Sequence, residues 1–178
     1  MPHSSREIAM RAIRQRCWIT AAALIIAALP CGSAAREPRP QTPHHDVDQA
    51  VRALMQSVAH DVTQDGPLAW IKYFDAGPAF FMADNGALAF PNGAAAKEGT
   101  RKFAQTISHI ELKWGDNLRV DPLSSDLAVV GASWHEVQVD TAGHRADSAG
   151  YFTGLAEYRR GRWQFRNAHW SEPVSAGH

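Results

Sequence analysis

Cysteine is almost absent: the chain has two, Cys17 and Cys31, both near its N-terminus. Everything beyond them can hold no disulfide, no thiol nucleophile and no zinc–thiolate site, so its stability has to come from packing. Charge of one sign is lacking too, since 18 Lys and Arg balance 18 Asp and Glu. Without a basic stripe, no nucleic-acid partner is expected. There is no Gly-rich phosphate loop, no His-Glu-x-x-His and no Gly-x-Ser-x-Gly. That removes the motif grounds for nucleotide binding, zinc proteolysis and nucleophile-elbow hydrolysis, and no cofactor or metal is implied. No apolar run reaches the ~20 residues that a membrane-spanning helix needs.

What is present begins with an export pattern. Arg11, Arg14 and Arg16 precede an uncharged apolar run from Trp18 to Leu29, which Pro30 and Gly32 break before the small residues Ser33-Ala34-Ala35. This is the order of a secretory signal peptide, over residues 1–35 with cleavage after Ala35, and the body is expected to be periplasmic or secreted with no membrane contact afterwards. Acylation of Cys31 to make a lipoprotein is the alternative, but Pro30 stands where a small residue is wanted. The excised part holds four arginines and one glutamate, so its removal leaves a mildly acidic chain. Residues 36–45, with Pro38, Pro40 and Pro43, read as a flexible linker. His44-His45-Asp46 in such a segment has no fixed geometry with which to ligate a metal.

The body, residues 46–173, reads as one domain followed by a tail over 174–178. Val47, Val51, Leu54, Met55, Val58 and Val62 keep the three-four spacing of an amphipathic helix, with Asp46 as its N-cap. Asp65-Gly66-Pro67 opens a second, short helix expected to carry Leu68, Ile71 and Phe74 inward until Gly77-Pro78 stops it. Phe80–Ala83 and Ala87–Phe90 flank Asp84-Asn85-Gly86, a hairpin signal, with Asp84 assigned to the turn. A third helix is expected after Gly99, with Phe103, Ile107 and Ile110 on one face. Ile110, Leu112 and Trp114 alternate as in a strand, Asp121-Pro122 and Ser124-Ser125-Asp126 read as a turn, and three long strands follow over about 127–139, 146–158 and 162–171. Short turns make those three an antiparallel meander. The order predicts an α+β fold, a cone-shaped curved sheet wrapped around N-terminal helices with room for a pocket between them.

That order, with Phe152-Thr153-Gly154-Leu155, Arg160-Gly161-Arg162-Trp163-Gln164-Phe165 and Asn167-Ala168-His169-Trp170-Ser171 near the close, resembles the SnoaL-like domains of the nuclear transport factor 2-like superfamily. The resemblance covers roughly residues 46–173 and implies a cystatin-like architecture. The superfamily includes isomerases, dehydratases, cyclases and non-catalytic binding domains, so the resemblance assigns no chemistry. Where ketosteroid isomerase carries its carboxylate base, this chain aligns Phe90, which implies that proton abstraction of that kind is absent and that Phe90 lines the pocket.

Unbroken alternation on the last strand places Trp163, Phe165, Asn167, His169 and Ser171 on one inward face and Trp170 outward, as a dimer contact. One bulge would reverse every facing beyond it. An inward His169 could act as a general acid or base, or could be a structural histidine bonded to Asn167 or Ser171. On the strand before, either Trp134, Glu136 and Gln138 face inward, bringing Glu136 towards His169, or His135 does. Glu136 is otherwise read as an exposed acid near a strand end. Tyr73, Phe90, Trp114 and Trp134 are the candidate aromatic lining of the pocket, and Asn167, His169 and Ser171 its polar end.

Three functions are consistent with these residues: binding of a small, largely apolar molecule in an internal pocket; an isomerase, dehydratase or cyclase using His169; and a dimerisation or interaction module. Both faces of Leu127–Ala132 are apolar, which makes a homodimer the expected assembly.

Overall fold

The computed structural model describes residues 44–173; the expected signal segment, the cleavage site, Cys31 and most of the linker lie outside them. Helix α1 (His44–Asp65) buries all six apolar residues of the expected face, each no more than 6% exposed. It begins two residues before Asp46, which therefore lies in the first turn instead of capping it. A 3-10 turn (Pro67–Ala69) runs directly into the single turn of α2 (Trp70–Tyr73). Here the inward residues are Ala69, Trp70 and Phe74, while Leu68 is half-exposed, because the tighter 3-10 winding rotates the face away from the α-helical expectation.

The hairpin pairs β1 (Phe81–Asp84) with β2 (Ala87–Phe90). Asn85 and Gly86 both take positive φ, 46° and 83°, as a type I′ turn requires. Helix α3 (Gly93–Ala104) starts well before Gly99, because Asn92 caps it by accepting a 2.8 Å hydrogen bond from the Ala95 N–H. Ile107 and Ile110 consequently belong to strand β3 (Ile107–Trp114), not to the helix. The expected turn around Pro122 is instead strand β4 (Arg119–Ser124), which pairs with β5 alone. An edge position is one of the few that a strand proline tolerates.

Strands β5 (Leu127–Asp140), β6 (Arg145–Arg159) and β7 (Arg162–Ser171) form the expected antiparallel meander. The seven-stranded sheet runs β2-β1-β7-β6-β5-β3 with β4 beside β5, and is mixed because β1 joins β7 in parallel. Helix α1 lies against β3, β4, β5 and β7, and α3 against the hairpin and the 3-10 turn. The core lies between α1 and the inner sheet face, with Phe80, Phe152 and Phe165 fully enclosed.

One irregularity governs the rest. Ala156 pairs with Phe165, but Leu155 pairs with Asn167, so Arg166 is an extra residue in β7. This β-bulge shifts the side-chain alternation by one. Phe165 points into the core as expected; beyond it Ala168 and Trp170 point inward, and Asn167, His169 and Ser171 point out.

Candidate functional site

A cavity of about 330 Å³ opens between α2, α3, the hairpin and the inner face of β5–β7. Its inner wall is aromatic: Trp70, Phe74, Phe90, Phe103, Trp134 and Trp170. Trp170 is the hub of that wall. Its ring meets Trp70 edge-on at 5.4 Å, Trp134 at 5.3 Å and Phe152 at 4.8 Å. Offset and edge-to-face arrangements of this kind suit aromatic quadrupoles. Two glycines let the wall close. A Cβ on Gly99 would stand 2.2 Å from the Phe90 ring, and one on Gly150 would stand 1.8 Å from the Ser171 carbonyl oxygen and 3.0 Å from Trp134. The indole N–H of Trp134, a residue only 6% exposed, has no hydrogen-bond acceptor among the described residues.

The polar part of the lining is acidic. Asp84, Glu136 and Glu172 stand on it with Thr100, Gln138 and Ser148, and no Lys, Arg or His does. Glu136 is the half-buried member. Loss of solvent raises its carboxyl above the usual carboxylate range, the hydrogen bond donated by Gln138 works against that rise, and the like charge of Glu172 adds to it. Glu172 is held at the rim by its backbone N–H, which donates to the Asn85 side chain at 2.7 Å. The turn asparagine thus ties the hairpin to the end of β7. None of the three carboxylates forms an ion pair with a described residue. Among the described residues no group of three or more His, Cys, Asp or Glu is close enough to hold a metal.

The sequence-derived candidates divide sharply. Phe90 and Trp134 line the cavity. Tyr73 does not; its hydroxyl donates to Asp61 at 2.7 Å, and burial with this bond pushes its ionisation above the ordinary tyrosine value. Trp114 stands behind Trp170, its indole N–H donating to the Met55 carbonyl at 2.7 Å. Asn167, His169 and Ser171 are corrected by the bulge. The Asn167 side chain accepts from the Leu155 N–H at 2.9 Å, Ser171 donates to the Tyr151 carbonyl at 3.1 Å, and His169 is exposed in an outer row between Thr153 and Ala83. His169 therefore meets neither Glu136 nor the cavity. Trp170, read as outward, is the centre of the inner wall.

On β5 the structure selects Trp134, Glu136 and Gln138 as the inward set. His135 points out and meets Asp147 at 2.6 Å. Glu136 is thus a cavity residue, not an exposed strand-end acid. Asp84 likewise serves the cavity wall, because its parallel partner on β7 is the inward Trp170. One signal for the bulge was present in the chain: apolar residues at 163 and 165 resume at 168 and 170, a step of three where a regular strand steps by two.

No protein-family model matches the sequence, and no curated protein matches it. Solved structures do. A nuclear transport factor 2 (NTF2-like) superfamily protein from Salmonella enterica superposes with a TM-score of 0.64 at 16% identity, over 75% of this chain and 96% of that one. A hexachlorocyclohexane dehydrochlorinase (LinA) of type 2 gives 0.58 at 13%, over 76% and 93%. An uncharacterised protein with a cystatin-like fold from Caulobacter vibrioides gives 0.57 at 16%, over 72% and 91%. At such identities the likeness concerns the fold alone.

Proposed function

From the premise that this chain has the nuclear transport factor 2-like fold, we propose that its function is to bind a small, largely apolar molecule in the aromatic cavity. The observation that carries the reading is the wall of interlocked rings around Trp170, opening onto a cavity whose lining also holds a few polar groups. Pockets that are mostly apolar with a few placed polar groups are the usual form of small-molecule sites, and about 330 Å³ is at the lower end of their size range. A ligand that binds only the folded state raises its melting temperature by mass action. A thermal-shift screen of small apolar compounds should therefore yield stabilising hits that Trp134→Ala loses. A screen without a single hit removes the proposal.

A second reading is acid–base catalysis on the bound molecule, and Glu136 is the observation that favours it. A carboxyl raised by desolvation inside a cavity is the type of group that moves protons near neutral pH. LinA, a dehydrochlorinase by name, is an enzyme of similar fold. In this reading His169 has no role in chemistry. In any reaction that the wild type turns over, Glu136→Gln should abolish kcat and His169→Ala should leave it unchanged; the reverse pattern sinks the reading.

A further inference from the structure

The charge of the cavity lining is one-sided. Asp84, Glu136 and Glu172 supply up to three negative charges, the lining holds no cationic side chain, and none of the three is neutralised by an ion pair among the described residues. A half-buried carboxylate without a counter-charge costs folding free energy. Gln138 offsets part of that cost, whereas Glu172 adds to it. The same cavity presents tryptophan rings, whose faces carry the negative lobe of the ring quadrupole and attract cations. An apolar anion would meet repulsion from the carboxylates. A neutral apolar molecule would satisfy the rings and leave the acids unpaired. Among the described residues these acids belong to no group of three or more that could hold a metal ion, and an organic cation is the positive charge that the aromatic wall beside them also suits.

We propose that the cavity takes a small organic cation, a protonated or quaternary amine on an apolar body, with the body against Trp134 and Trp170 and the charge towards Glu136 and Glu172. This rests on the binding function proposed above and narrows its ligand class. The hydrocarbon part is held by the aromatic wall, and the ammonium gains both ring faces and carboxylates in a partly desolvated site.

The test uses three probes of similar shape and different charge: phenyltrimethylammonium, its neutral isostere tert-butylbenzene, and benzenesulfonate. Each is titrated into the protein, with binding read from tryptophan fluorescence and calorimetry. The expected result is that the cation binds at least tenfold more tightly than the neutral probe and that the sulfonate binds least. Glu136→Gln and, separately, the rim variant Glu172→Gln should each shrink the cation's advantage over tert-butylbenzene severalfold. Glu172 is exposed, so its variant keeps the test valid if Glu136→Gln folds poorly. If the neutral probe binds as tightly as the cation, or the two variants leave the ratio unaltered, the charge inference is overturned and the binding site stands. If none of the three probes binds, both fall.

Discussion

At the scale of single residues, Glu136 is where charge, burial and the cavity meet. Its carboxyl is raised by desolvation in the folded state, so it holds its proton to higher pH there than in the unfolded chain. Between the ordinary carboxylate value and the raised one, the folded state binds more protons, and stability falls as pH rises through that window. Glu136→Gln keeps the shape and the Gln138 contact but removes the charge. It is expected to melt above the wild type at about pH 7, with the gap closing towards about pH 4, where the wild-type carboxyl is largely protonated in both states. Melting curves at the two pH values decide this, and a variant that melts lower at neutral pH contradicts it. His169 is the opposite case. Unbroken alternation along the last strand makes its imidazole an inward candidate, yet it stands exposed on the outer sheet face.

At the scale of elements, β7 owes its function to one extra residue. Arg166 occupies the bulge and ion-pairs with Glu157 at 3.2 Å, while the Asn167 side chain supplies an acceptor to the Leu155 N–H. That side chain is the local fastening of the bulge. Asn167→Ala should lower unfolding free energy by about 1 kcal/mol, the usual net worth of such a bond. It should also weaken ligand hits from the thermal screen, because Trp170 is aimed by the strand that Asn167 holds. Chemical denaturation together with repeat titration of those hits checks both; an Asn167→Ala protein of unchanged stability and affinity removes Asn167 from this role. The legibility of elements followed their dependence on local pattern. Helix α1 and the type I′ hairpin were readable because one period and one dipeptide specify them. The start of α3 and strand β4 were not, since the Asn92 cap lies outside the apolar period that marks a helix, and Pro122 is a turn signal that an edge strand also accommodates.

At the scale of the whole molecule, the outer sheet face keeps Phe81, Val129 and Tyr151 at 46%, 41% and 41% exposure. The proposed homodimer would cover this face, with His169 inside the contact and Trp170 no part of it. If the expected export takes place, native mass spectrometry of the protein from the exported fraction gives twice the mass of a chain beginning at Arg36, and Val129→Lys is expected to return the monomer. A monomer at micromolar concentration rejects the dimer. A mass that still includes residues 1–35 rejects the signal peptide.

The α+β class, the helix that floors the core and the three-stranded meander were already determined by the sequence, because hydrophobic period and turn chemistry are local properties. Which residues meet in the cavity was decided by tertiary structure alone. Both faces of the first half of β5 are apolar, so no pattern chose between Trp134 and His135; packing against α1 and the aromatic cluster chose Trp134 and carried Glu136 in with it. On β7 a single bulge, set by pairing with β6 and fastened by Asn167, exchanged His169 for Trp170. A strand's facing is a parity, and one residue of cross-strand register is enough to invert it.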